Sequence, residues 1–302
     1  VKIALVVNPA SGVGRAAKLG APVLERLRAG AEVELLSGTS AQESAAIVAA
    51  QVGRVDAVVV LGGDGIVHQA LQSLAGTETP LGIIPAGTGN DCADSIGLPA
   101  EPMAAADAVL AALRDQETTA VDLGRTERGQ WWFTVLCAGF DSATNERANA
   151  MRWPKGPRRY DLAIAIETVR LAPRPFTIGL DGFEHDVSAT LIAVGNTPQY
   201  GGGKKMTPSA SLVDGRFAVT VVGPVSRRTL ARLAPTLPSA GHIGHPAVLT
   251  YDATTVTLRA RATVAYADGE RLQELPVSTS CVPGALRVLV PNRLRPPQLR
   301  RN

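Results

Sequence analysis

The stretch "VDAVVVLGGDG", residues 55–65, restricts the possible folds more than any other part of this chain. Beyond Asp56 its first half carries scarcely a polar atom. A strand without polar alternation is buried on both faces, which is what a parallel sheet covered by helices requires. The strand then runs into two glycines, one carboxylate and a third glycine. Glycine allows tight turning and close approach of the backbone to a ligand. Two more loops pose the same question, "VVNPASGVG" at 6–14 and "IIPAGTGND" at 83–91.

Around these loops the first 125 residues alternate strand and helix patterns. Strands are expected at "KIALVVN", "EVELL", "DAVVVLG" and "LGIIPAG". Helices are expected over Gly14–Ala29, Ser40–Val52 with Ser40 as N-cap, Ile66–Ala75 and 101–115. After Thr126 the texture changes to short strands broken by Gly, Pro and Asp, including "QWWFTVLCAGF", "HDVSATLIAVGN", "RFAVTVVG" and "TVTLRARATVAYADGE". That pattern predicts an antiparallel sandwich, interrupted by helices near 159–171 and 227–234. The expected division is an α/β domain over 1–125 and a β-sandwich domain over 126–285, with 286–302 packing back on the first.

A chain of 302 residues suits about two domains. Its 45% hydrophobic and 19% charged residues exclude a disordered chain. A formal charge of +3 is too small for a nucleic-acid binder. Three scattered cysteines, Cys92, Cys137 and Cys281, form neither a metal spacing nor a disulfide framework. With no apolar run of about 18 residues and no secretory leader at the start, a cytoplasmic protein is expected.

In open parallel sheets, ligands bind beyond the carboxyl ends of the strands. All three glycine loops fall at such ends, where successive N–H groups and the following helix N-terminus favour an anion. No G-x-x-x-x-G-K-[ST] is present, and the first turn lacks a dinucleotide fingerprint. Asp64 would repel phosphates unless a cation intervened, so it is expected to face Mg²⁺ directly or through water. One such turn alone is more often structural than ligand-binding, and Thr88, Asn90 and Asp91 could serve as cap and turn formers. Three loops at one sheet edge favour a shared phosphate site.

In this order, "NPASG", "GGDG", "PAGTGND" and "ADGE" resemble the diacylglycerol kinase catalytic-domain family, which includes sphingosine and ceramide kinases. "GFDSATNERANAMRWPKG" and "YGGGKKMTPSASLVDGRF" resemble its compact actinobacterial form. The resemblance covers nearly the whole chain. It implies an ATP-binding α/β domain of the NAD kinase/diacylglycerol kinase type, a β-sandwich lipid domain and an active site in the cleft between them. By position, Asn8, Pro9, Ala10, Ser11 and Gly12 would line the nucleotide. Gly63, Asp64, Gly65, Ile66, Val67, His68 and Gln69 would hold phosphates and Mg²⁺, with Ser37 and Thr88 as further nucleotide contacts. Glu270 matches the proton acceptor, and Asp64 shares the catalytic assignment. Asp214, with the backbone oxygens of Ser211 and Arg216, matches a structural Mg²⁺ site. The family usually has GGDGT. Ile66 replaces that threonine here, which shifts the burden to backbone amides or to His68 and Gln69.

The implied reaction moves the γ-phosphoryl of ATP to the primary hydroxyl of 1,2-diacylglycerol, giving phosphatidic acid. Asp268 lies close enough to perturb Glu270 if the segment stays extended, but "YADGE" also reads as a D-G hairpin turn. The substrate would be met at a membrane surface. Trp153 and the basic residues of "ERANAMRWPKGPRRY" suit peripheral contact with anionic lipid at the inner face; the alternative buries Trp153 in the core. Unpaired edge strands would allow a homodimer. Competing readings are another lipid alcohol such as sphingosine or ceramide, an NAD kinase, and a nucleotide-binding regulator without turnover.

Overall fold

Every residue of β3 (Ala57–Gly62) and β4 (Leu81–Pro85) is buried, and β1 (Lys2–Val7) is buried from Ile3 onward. The computed structural model describes residues 1–8, 11–151, 153–154 and 158–290. Among the described residues it separates the chain into two compact units, the first formed by Val1–Leu123, Leu212–Asp214 and Val282–Val290, the second by Gly124–Ser211 and Gly215–Cys281.

In the first unit, β2 (Glu32–Ser37), β1, β3 and β4 lie in the order β2-β1-β3-β4, all parallel. Helix α1 (Ser11–Arg28) follows β1, α2 (Ala41–Gln51) follows β2, and α3 (Asp64–Leu74) follows β3. After β4 come the short α4 (Asp91–Ser95), then α5 (Pro102–Arg114) and β5 (Thr119–Thr126). Ile3, Leu5, Val7, Val59 and Leu61 pack with Ala16, Val23 and Leu27 of α1 and Val109 of α5. The strand residues between them, Ala4, Val6, Val58 and Val60, are equally buried, and the opposite face carries α2 and α3. Two helical layers around a parallel sheet explain why these strands show no polar alternation.

The expected helices form with shifted ends. Ser40 caps α2 by accepting from the Glu43 amide at 3.1 Å. Helix α3 begins at Asp64 rather than Ile66 because Gly63 already occupies the N-cap. Glu101 caps α5 with Pro102 at its first turn, a position proline tolerates. Helix α4, directly after "GTGN", was not expected from the sequence.

The second unit is two packed antiparallel sheets. It opens with β6 (Trp131–Trp132), β7 (Val135–Gly139), α6 (Phe140–Ala150), α7 (Arg158–Val169), β8 (Arg174–Leu180), β9 (Phe183–Ala189), β10 (Leu191–Gly195) and β11 (Phe217–Val222). Then follow α8 (Arg227–Leu233), two 3₁₀ turns, β12 (Val248–Ala253), β13 (Thr255–Arg259), β14 (Val264–Ala267), β15 (Glu270–Glu274) and β16 (Val277–Val288). One sheet has the order β12-β11-β10-β7-β14-β15. The first half of β16 begins the other, which continues β13-β8-β9. Between them lie Leu136, Ile192, Val219, Phe176, Ile178 and Val256, with Trp132 stacked on Phe217 at 4.9 Å.

Two expectations need correction here. "QWWFTVLCAGF" is not one strand: it breaks at Phe133–Thr134, whose amides bond to the distant Asp268. The residues from Phe140 form α6, a helix the polar "DSATNERANA" did not announce.

Candidate active site

Strand register places the glycine loops on one rim of the first unit. Val7 lies beside both Ser37 and Leu61, and Gly62 beside Pro85. The Asn8 amide donates to the Leu61 carbonyl at 3.4 Å and the Ala86 amide to Gly62 at 2.7 Å. Ser37 therefore ends its strand level with Val7, the residue before Asn8, and it is exposed.

Close backbone packing then draws the loops together. A Cβ on Gly87 would lie 2.4 Å from the Gly63 Cα, and one on Gly12, where φ is +60°, would lie 2.2 Å from the Ala86 carbonyl oxygen. Neither position accepts a side chain without displacing main chain. Asn90 fastens the GTGN loop, accepting from the Gly87 amide at 3.0 Å and donating to its carbonyl at 3.3 Å. Thr88 projects from that loop and is exposed. Pro9 and Ala10 lie outside the described residues.

Asp64 stands at the centre. As the first residue of α3 it adjoins amides that precede the first intrahelical bond. Its Oδ1 accepts from the Cys92 amide of α4 at 2.9 Å. Burial pushes the carboxyl up to about 6; the Cys92 amide opposes the rise and the charge of Asp91 adds to it. A carboxylate so placed gains from a nearby cation. Ile66 and Val67 turn their side chains into the core at 1% exposure, and their amides donate to the Gly63 carbonyl at 3.2 and 3.5 Å. The isoleucine in place of the usual threonine thus serves packing. His68 and Gln69 are half-buried one turn on, and Gln69 Oε1 is buried without a hydrogen-bond partner.

In the second unit, Glu270 is the first residue of β15 and is exposed. The preceding Asp268 and Gly269 have φ of 55° and 81°, the paired left-handed conformation of a tight two-residue hairpin turn. Both Asp268 oxygens are engaged, one by the Phe133 amide at 2.9 Å and the other by the Thr134 amide and hydroxyl, each at 2.7 Å. Asp268 is therefore a structural clasp for the turn.

Ser211 is buried, Asp214 and Arg216 are exposed, and Gly215 between them has φ of 72°. One carboxylate with backbone carbonyls is a hard-oxygen donor set that suits Mg²⁺. Among the described residues no three His, Cys, Asp or Glu side chains converge into a metal cage. Mg²⁺ often keeps waters and substrate phosphates as ligands, so the half-buried carboxylate of Asp64 fits such an ion.

Sequence reasoning missed Asp141, in the first turn of α6. Burial raises its carboxyl to about 6 while Lys204 opposes the rise. The signal available was a carboxylate following a fully buried strand and a glycine. Gly201–Gly203 form a turn closed by paired Tyr200–Lys204 backbone bonds of 3.1 Å. Trp153 is 78% exposed, which overturns its alternative placement in the core.

An α/β unit whose glycine loops meet beside the half-buried Asp64, followed by an antiparallel sandwich unit, defines the architecture of a nucleotide-dependent phosphotransferase. The sequence matches the family model of the diacylglycerol kinase catalytic domain over residues 2–126 and that of the YegS C-terminal NAD kinase β-sandwich-like domain over 134–290. It is 44% identical to the diacylglycerol kinase of Mycobacterium tuberculosis (strain ATCC 25618 / H37Rv), covering 96% of this chain and 95% of that one. A crystal structure of a diacylglycerol kinase from Bacillus anthracis str. Sterne superposes with a TM-score of 0.74 at 20% identity, over 96% of both chains. An NAD kinase from Archaeoglobus fulgidus shares the fold at a TM-score of 0.52 and 13% identity, over 95% of this chain and 93% of that one. The chain belongs to the diacylglycerol kinase family.

Proposed function

We propose that the protein transfers the γ-phosphoryl of ATP to the primary hydroxyl of 1,2-diacylglycerol, forming phosphatidic acid and ADP. The observation that carries this reading is the meeting of three glycine loops, one of which contains the half-buried Asp64. Phosphoryl transfer depends mainly on positioning and charge neutralisation, and main-chain amides with a helix N-terminus provide both for a triphosphate. Asn8 to Gly12, Ser37 and Thr88 would line the nucleotide, and Gly63 to Gln69 its phosphates. Asp64 would hold Mg²⁺ directly or through water, and Asp214 with the carbonyls of Ser211 and Arg216 a structural one; bound there, the ion neutralises phosphate charge.

Glu270 is the proposed general base, accepting the proton of the lipid hydroxyl. An exposed carboxylate at a hairpin tip is open to an approaching alcohol. The near full-length identity to a diacylglycerol kinase supports diacylglycerol over sphingosine, ceramide or NAD as acceptor. Incubating the purified protein with labelled ATP and each of diacylglycerol, sphingosine, ceramide, undecaprenol and NAD tests the assignment. Label is expected in phosphatidic acid, and a different labelled product would replace this reading.

Diacylglycerol lies in a bilayer, and among the described residues no helix is long and apolar enough to cross one. Peripheral contact is proposed through Trp153 and the start of α7. Helix α7 exposes Leu162, Ile164 and Val169; its Arg158 is exposed, and Arg159 lies over the Tyr160 ring at 5.2 Å. Each basic residue near an anionic surface contributes about 1 kcal/mol. Sedimentation with phosphatidylglycerol vesicles is expected to weaken several-fold in the double variant Arg158→Glu, Arg159→Glu and at raised salt. Unchanged binding would move the membrane contact elsewhere.

A further inference from the structure

Glu146, in α6, belongs to none of the loops described above, yet it grips the hairpin that carries Glu270. Its Oε1 accepts from the Tyr266 hydroxyl at 2.7 Å and from Arg271 Nε at 2.9 Å. Tyr266 and Arg271 face each other across β14 and β15, and only the pair Ala267 and Glu270 separates them from the turn. One carboxylate oxygen thus ties both strands together one step behind Glu270.

The hairpin ladder is irregular just behind its tip. Its register shifts between Ala265 and Tyr266, where partner numbering jumps from Gln273 to Arg271. Such a bulge locally disrupts the ladder and increases twist, so it alters where nearby side chains aim. The Glu270 side chain makes no hydrogen bond of its own among the described residues and is exposed. Its direction is therefore inherited from the backbone of the tip. Besides the pairing of Tyr266 and Ala267 with Cys137 and Leu136 of β7, side chains hold that tip through Asp268, bound by the amides of Phe133 and Thr134, and through Tyr266 and Arg271, bound to Glu146, with Asn149 as a further partner of the Tyr266 hydroxyl. Tyr266 is 2% exposed, and a buried phenol hydroxyl requires a partner. Charge-assisted bonds to a carboxylate are the stronger kind.

We infer that Glu146 is a positioning residue for the phosphoryl-transfer step, holding the β14–β15 tip so that Glu270 keeps one orientation. This rests on Glu270 being the general base. Misplacing a reacting group by about 1 Å can cost on the order of 10²-fold in rate. In the full chain, Glu146→Ala is expected to lower kcat about tenfold or more and leave the KM for ATP within about twofold. Glu146→Gln keeps an acceptor for Tyr266 and should recover most of the loss.

The decisive comparison uses a Glu270→Gln background. If Glu146 acts through Glu270, adding Glu146→Ala there lowers the residual rate no further; a merely structural role would lower it by the same factor as in the wild-type background. The latter outcome, or a Glu146→Ala kcat within about twofold of wild type, overturns the inference. Should Glu146→Ala fail to fold, Tyr266→Phe and Arg271→Gln carry the same comparison, each with a smaller expected loss. Wild-type turnover in Glu270→Gln alone would remove the base assignment itself, and that result is separable from any effect at Glu146.

Discussion

Replacing Asp64 by Asn is expected to stop ATP-dependent turnover and, in the same protein, to raise the melting temperature above pH 7. The loss of rate should be about 10²–10³-fold or more, the range for removing one electrostatic stabiliser from a transferring centre. The gain in stability follows from the carboxyl being raised from 3.8 to about 6, chiefly by burial. The folded state then holds its proton more tightly than the unfolded one, so Asp64 costs nothing below pH 4 and destabilises progressively as pH rises to 6. Two pKa units correspond to roughly 3 kcal/mol at most. Asn keeps an acceptor for the Cys92 amide and carries no charge, so it removes that cost. A rise of roughly 2–6 °C at pH 8, shrinking to nothing at pH 4, is expected by calorimetry. Equal melting temperatures at pH 8 would show that the Asp64 charge carries no stability cost, and retained turnover would show that the carboxylate is not used in the transfer.

Glu270→Gln is expected to reduce kcat by about 10²–10⁴-fold, the usual contribution of a general base, with ATP binding by calorimetry within about threefold of wild type. The two variants should therefore separate. The first changes stability and alters the proposed phosphate site; the second sits at an exposed hairpin tip and leaves that proposed site untouched. If Glu270→Gln loses ATP affinity along with rate, the acidic side chain is binding nucleotide and another group takes the proton.

The parallel sheet was readable because burial on both faces removes polar residues from β1, β3 and β4, and that absence survives in the sequence. The meeting of the glycine loops was readable for a related reason: strands of equal register deliver their ends to one rim. Asp-Gly announced the hairpin turn through its left-handed backbone. Other features depend on partners too distant for local pattern. The break at Phe133–Thr134 is imposed by Asp268, 135 and 134 residues away. Helix α6 has a mostly polar sequence and starts from a glycine with φ of 97°. The α3 start moved because a glycine N-cap gives no side-chain signal. Glu146 is one of several surface-compatible acids in the sequence, and only the folded chain shows what it holds.

Cys92 donates its amide to Asp64, and the residue is wholly buried. Cys137 is buried as well, with its thiol pushed well above the ordinary range by burial and by Asp141, whereas Cys281 is partly accessible. Alkylating reagents should thus label Cys281 first and reach Cys92 only when the segment beside Asp64 comes apart. Cys92 modification would then serve as a native chemical clock for opening of the segment beside Asp64, and its rate is expected to slow when nucleotide occupies the proposed site there.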